Sequence, residues 1–287
     1  MPNPLRLSIS NIAWDPAEDD AVTEVLQAEG VSAVEIAPTK WRDKPLEATA
    51  AEVERYRQSW ANRGLRVSSL QALLFGRPDL ELFGKTRLQL AEYLYRVIEL
   101  GAGLGAHALV FGSPKNRLRG SLALGDAMAS AAEFLRDIGE FAAQHGLVIA
   151  IEANPPEYGC DFVTRTNEAV ALCRAIASVG VGVNGDLGGM TLSADAPRIA
   201  IDSARTCLVH FHASEPNLVE LGAQSDHAAA AAGLAAIGYA GWVAIEQREA
   251  ERRDGDEGKS STARSTNVAA VERAVKFAKA AYAAAIS

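Results

Sequence analysis

The side chains with the greatest chemical reach in this sequence are three acids and a histidine, each closing a short apolar run. They are Glu152 after LVIAI, Asp186 after VGVNG, His212 after CLVHF and Glu246 after WVAI. Side chains alternate along an extended strand, so Val148, Ala150 and Glu152 share one face, as do Trp242, Ala244 and Glu246. If the four strands lie side by side, three carboxylates and one imidazole converge. Carboxylates withdrawn from water repel one another, and a divalent cation whose shell is completed by a neutral imidazole relieves both costs. The pattern predicts one metal ion on Glu152, Asp186, His212 and Glu246. One acid at a strand end is ordinarily a solvated or helix-capping group, but that reading does not account for four on successive strands.

Other polar residues cluster around the same strand ends. His210 precedes His212 by two residues and points the same way one layer deeper, where it either orients a ligand or sits as a hydrogen-bonded interior histidine. Glu35, Trp41, Gln71, Asn154, Glu157, Glu215 and Asn217 follow or close strands and are candidates for substrate contact, together with Lys115, Asn116 and Arg117. Lys115 and Arg117 suit an anionic group such as phosphate, or else form a solvated basic loop. Trp41 and Phe75 either wall a pocket or pack beneath a loop. His107 opens its strand, and His145 ends a helix whose dipole favours a partly positive ring, so both read as structural.

The elements that must position these groups are announced by a recurring phrase: an Ala-rich amphipathic stretch, a glycine, then a β-branched run ending in polar residues. AEG before VSAVEI, NRG before LRVSSL, QHG before LVIAIE and SVG before VGVNGD are instances. The phrase predicts strands near residues 5–11, 32–37, 66–71, 107–112, 147–152, 181–186, 206–212 and 242–247. Asp15 as N-cap, Pro16 in the first turn and the acids Glu18, Asp19 and Asp20 start the first helix, and Gly30 ends it. Strict strand–helix alternation requires parallel strands, and eight such units can close. The expected fold is α/β, one (β/α)8 TIM barrel domain over residues 1–287, with the chemistry at the C-terminal strand ends. An open doubly wound sheet is the alternative, but no GxGxxG or GxxxxGK[ST] follows a strand. The charge-dense stretch from Glu249 to Lys259 reads as a solvated loop on the catalytic rim, with a lid role as the alternative.

Composition narrows the partners. The 287 residues are 48% hydrophobic, enough for one large core, and the net charge of −8 disfavours a phosphate-backbone binder. Cys160, Cys173 and Cys207 form no CxxC pair and are odd in number, which suggests reduced thiols. No signal-like or membrane-spanning apolar window occurs, so a soluble, cytoplasmic protein without membrane or nucleic-acid partners is expected.

On these residues the chain resembles the sugar phosphate isomerase/epimerase branch of the xylose-isomerase-like superfamily. SNIAW at 10–14, EIAPTKW at 35–41, VFGSPKNR at 110–117, DLGGMTL at 186–192, HFHASEPN at 210–217 and IGYAGWVAIEQ at 237–247 look like that branch's motifs, and they span nearly the whole length. In the superfamily's ketose 3-epimerases, two glutamates, an aspartate and a histidine bind Mn²⁺ or Co²⁺. The glutamates also remove and return a substrate proton through an enediolate. By motif, the resemblance puts these roles on Glu152, Asp186, His212 and Glu246, with Glu152 and Glu246 catalytic. It implies one divalent ion, Mn²⁺ foremost, with Co²⁺, Zn²⁺ or Mg²⁺ as alternatives, and a sugar or sugar phosphate substrate, with a homodimer as one option for assembly. Two positions depart from the pattern. Gly189 stands where ketose epimerases commonly place a histidine, and Asn217 where they tend to have arginine. Three rival readings share the fold: an inosose-type dehydratase on the same metal site, an endonuclease-like enzyme with several zinc ions, and a non-catalytic sugar-binding subunit. Strands 2 to 4 lack the terminal histidines that the zinc enzymes use, although Asp226 and His227 could supply part of a second site if Asp226 is not simply a helix N-cap.

Overall fold

Eight parallel strands close into a barrel in strict chain order. They are β1 Arg6–Ser10, β2 Ala33–Ile36, β3 Arg66–Leu70, β4 Ala108–Phe111, β5 Val148–Glu152, β6 Val181–Asp186, β7 Leu208–Ser214 and β8 Trp242–Glu246. β8 returns to pair with β1, so the open sheet is ruled out. The computed structural model describes residues 6–249 and 266–283; most of the charge-dense stretch after Glu249, and Leu5 of the first predicted strand, lie outside the described residues.

Strand parity explains the layers. Ile9, Val34, Ile36, Leu70, Leu109, Phe111, Ile149, Ile151, Phe211, Val243 and Ile245 belong to one apolar core that also takes in the helix faces. The alternate positions turn into the barrel. There, Ala108, Val110 and Ala150 form a small apolar cluster backed by Val209. The remaining inward positions include Ser8, Ser10, Glu35, Ser69, Asn184, His210 and His212, all buried and polar. A buried polar group must find partners, so this interior is a hydrogen-bonded assembly rather than the usual layered packing of branched apolar side chains.

The outer ring is α1 Asp19–Ala28, α3 Ala50–Asn62, α4 Arg87–Leu104, α5 Leu124–Gln144, α6 Thr166–Ile176, α8 Pro197–Ala204, α9 His227–Ala236 and α10 Thr266–Tyr282, with two short helices, α2 Pro38–Trp41 and α7 Leu187–Leu192, on strand ends. The predicted start is present: Asp15 accepts from the Ala17 N–H and forms a capping box with Glu18 in a turn that leads into α1. Gly30 and Gly146 take φ of +71° and +72°, as the helix-to-strand junctions require. His145 accordingly sits at the end of α5, its Nδ1 2.8 Å from the Phe141 carbonyl. No helix among the described residues is long and apolar enough to cross a membrane.

One strand runs further than expected. β7 continues past His212 to Ser214, because Ser214 pairs with Glu246 of β8 and the ladder has no reason to stop earlier.

Candidate functional site

The stagger of the barrel sets the heights of the four predicted ligands. Glu152 is level with Asn184, Asp186 with His212, and Ser214 with Glu246, so the strand ends rise like a stair around the mouth. Asp186, His212 and Glu246 each bring one ligand atom to within 4.8 Å of the others. Glu152 joins through the imidazole: its Oε2 lies 3.3 Å from His212 Nδ1. Its two oxygens are held by amides, Asn154 Nδ2 donating to Oε1 at 2.8 Å and Asn184 Nδ2 to Oε2 at 2.7 Å. Asp186 accepts the Ser214 hydroxyl at Oδ1 and the Gly189 N–H at Oδ2. These hydrogen bonds fix the carboxylates before any substrate arrives.

His212 is the pivot. Its ring is fully buried, with Nε2 3.2 Å from Glu35 Oε2. Nδ1 is 3.1 Å from Glu246 and 3.3 Å from Glu152, yet makes no hydrogen bond to either. A buried nitrogen facing two carboxylates without hydrogen-bond geometry fits a divalent ion shared among them. Burial works against charge on His212, but the facing Glu246 and Glu35 outweigh it and raise the imidazole well above its ordinary value. Burial, reinforced by Glu152 and Glu246, pushes the Asp186 carboxyl up to about 7. Burial also raises Glu246, against the pull of His212. Burial would raise Glu152 as well, but the neighbouring His212 and the two asparagine amides hold it below the usual range.

Without an ion, the facing carboxylates favour a proton on His212, and burial favours one on Asp186. Binding a cation must displace them, so protons are released and affinity falls as pH drops through neutrality. Calorimetric titration in buffers of different ionisation enthalpy reads this directly. Zero protons released and a flat affinity between about pH 6 and pH 8 would contradict it.

A cavity of about 350 Å³ opens above these groups, lined by Glu152, Asp186 and Glu246 and by Gln71, Asn154, Tyr158, Asn217, Leu218 and Arg248 among others. A groove of about 440 Å³ elsewhere, between the Pro45–Ala48 connection and α4, contains none of the predicted ligands. Of the residues singled out for substrate contact, Gln71, Asn154 and Asn217 reach the cavity. The others do not line it. His210 is buried one layer below, 2.9 Å from Glu35 Oε2, so the interior-histidine alternative describes it. Arg117, 1% exposed, donates from Nη2 to the Glu152 carbonyl at 2.6 Å; it clamps the end of β5 and is no anion hook. Asn116 likewise donates to the carbonyls of Arg77 and Leu80. Lys115 and Glu157 are exposed outside the cavity. Trp41 stacks on Tyr56 at 4.5 Å and packs against the helical core. Phe75 is 70% exposed and does not wall the cavity. Glu35 and Glu215 are fully buried, Glu215 accepting from His227 and the Gly222 N–H.

Sequence reasoning missed Tyr158 and Arg248 as lining residues. Arg248 was detectable, since it shares the inward parity of Glu246 two residues on. The Tyr158 hydroxyl accepts the Asn217 N–H at 2.9 Å, and Asn217 and Leu218 both adopt left-handed φ, +61° and +57°. At Gly189, a Cβ would lie 2.8 Å from Asp186 Oδ2, so any side chain there displaces the aspartate or the helix start.

The second site considered for Asp226 and His227 is not built. Asp226 caps α9 by accepting the Ala229 N–H, and His227 is buried between Glu215 and Tyr282. Asp226→Ala is expected to cost about 1 kcal/mol, the value of an N-cap. A urea midpoint shift reads it, and bound metal should not change; metal loss in this variant would revive the second site.

The family model described as xylose isomerase-like TIM barrel matches residues 23–280. No curated protein matches the chain. Among solved structures, the chain is similar to a D-psicose 3-epimerase from Clostridium cellulolyticum H10, at TM-score 0.78 and 15% identity over 97% of this chain and 99% of that one. An L-ribulose 3-epimerase superposes at TM-score 0.76 and 19% identity, covering 98% of this chain and 95% of that one. A 3-keto-D-glucoside 4-epimerase from E. coli follows at TM-score 0.72 and 18% identity, with coverage of 96% and 99%. At such identities the likeness establishes the fold.

Proposed function

Because the chain belongs to the xylose isomerase-like TIM barrel family, we propose that it is a divalent-metal-dependent isomerase or epimerase of a sugar or sugar phosphate. The observation that carries this reading is the unpartnered Nδ1 of His212 facing Glu152 and Glu246, two of the acids that line the cavity. Glu152, Asp186, His212 and Glu246 would hold the ion, Mn²⁺ foremost, which when bound supplies Lewis-acid polarisation of a carbonyl. Three superposed structures bear the names of sugar epimerases, in keeping with this chemistry.

Glu152 and Glu246 are the bases. They enter the cavity from non-adjacent strands, so one can take a proton from the carbon beside a carbonyl while the other returns it. Asn154 and Asn184 keep Glu152 aimed into the cavity, and Gln71, Asn217 and Tyr158 offer the amides and hydroxyl that orient a polyol. Burial pushes the Tyr158 phenol up to about 12, so it serves as a neutral hydrogen-bonding group. The three free thiols accord with a reducing compartment, the cytoplasm.

Two measurements test the proposal. Elemental analysis should find near one Mn, Co, Zn or Mg per chain, against roughly three zincs for a nuclease-type centre and none for a metal-free binder. NMR screening of ketoses, inososes and sugar phosphates in deuterated water should reveal exchange at the carbon next to the carbonyl. Loss of water in place of exchange would favour a dehydratase, and neither reaction with any of them would refute catalysis on this class.

A further inference from the structure

At the centre of the barrel, one carboxylate oxygen collects three donors from two distant parts of the chain. Glu35 Oε2 lies 2.7 Å from Ser69 Oγ, 2.9 Å from His210 Nε2 and 3.2 Å from His212 Nε2. Glu35, His210 and His212 are each fully buried. A buried carboxylate is tolerated only when its charge is answered, and here each neighbour answers it through a proton. An imidazole that gives its Nε2 proton to Glu35 must, when neutral, present a bare lone pair at Nδ1. For His212 that bare nitrogen is the one turned toward Glu152 and Glu246, where it makes no hydrogen bond.

We infer that Glu35 is a positioning residue for the metal centre: from beneath, it fixes His212 in the Nε2–H tautomer and holds the ring so that Nδ1 faces the ion. The inference rests on the metal-dependent reading above and adds to it a residue of β2, on the far side of the barrel from the proposed ligands. His210 and Ser69 share the same oxygen and keep the carboxylate from turning away. A merely structural buried ion pair would stabilise the barrel without caring which nitrogen of His212 carries the proton, which is what separates the two roles.

The geometry also brings Glu35, His210 and His212 close enough to be read as metal ligands in their own right. That arrangement would need both Nε2 atoms deprotonated toward a cation. Both Nε2 atoms instead have hydrogen-bond geometry to one oxygen, at 2.9 Å and 3.2 Å, which Nδ1 of His212 lacks toward its carboxylates.

Two experiments decide it, neither requiring a substrate. In Zn²⁺-loaded protein labelled with ¹⁵N-histidine, long-range proton–nitrogen correlation should show His212 protonated at Nε2 and ligated at Nδ1. A proton on Nδ1, or Nε2 as the ligating atom, overturns the inference even if no variant folds. In Glu35→Gln, Mn²⁺ affinity read by electron paramagnetic resonance should fall about 10–100-fold, while Asp226→Ala, which removes only a helix N-cap, keeps wild-type affinity. Equal affinity in Glu35→Gln and wild type sinks the positioning role alone. Wild-type protein that takes up no Mn²⁺ or Zn²⁺ sinks the metal-dependent reading and this inference with it. Two ions per chain, the deeper lost in Glu35→Gln, would make the triad a metal site and refute the tautomer argument.

Discussion

Glutamine in place of Glu246 is expected to lower turnover by on the order of 10²–10⁴-fold, the usual contribution of a positioned acid–base group, and Glu152→Gln to do the same. The substitution keeps size and removes the charge that accepts a proton. Neither variant should unfold the barrel. Burial raises Glu246, so its neutral replacement is tolerated; at Glu152 the glutamine oxygen can still accept from an asparagine amide, and the ladder bonds of both strands are main-chain. Solvent-deuterium exchange into substrate, followed beside thermal unfolding, separates the effects. If either variant keeps full exchange activity, the two-base scheme is wrong. If activity vanishes only with a collapse of the unfolding transition, the residue is structural.

Stripping the ion should be as severe for activity and also visible in stability. A ligand that binds the folded chain alone contributes about 2.7 kcal/mol at a free concentration 100 times its dissociation constant. For a barrel of this size that corresponds to a fall of roughly 4–5 °C in melting temperature when chelator is added. Restoring Mn²⁺ should recover both properties. A chelated protein that melts at the same temperature and keeps its activity would show that the acids and His212 do not share an ion.

Much of this arrangement was legible from the chain alone, for two physical reasons. Helix-ending glycines and β-branched runs are local signals, so the eight strands fall within about two residues of expectation. Period-two alternation then tells which strand-end polar groups point inward, and Glu152, Asp186, His212 and Glu246 follow from it. Relations across the barrel carry no such signal. Glu35 and His210 stand 175 residues apart, and nothing local reveals that their inward side chains meet on one oxygen. Arg117 illustrates the same limit: a cation in a loop after a strand reads as a rim group, and only the path of the β5 end shows it spent on a carbonyl. The two extra residues of β7 depend on a pairing partner in β8, which is again a non-local fact.

The pair of left-handed residues at Asn217 and Leu218 bears on attempts to retarget the enzyme. Asparagine visits that conformation at little expense, whereas most side chains pay about 1–2 kcal/mol for it. Installing arginine at Asn217 would therefore tax the backbone as well as alter charge, and would disturb the main-chain donor that engages Tyr158. Engineers seeking a new sugar preference should begin instead at Gln71 or Arg248, which line the same cavity without a left-handed φ.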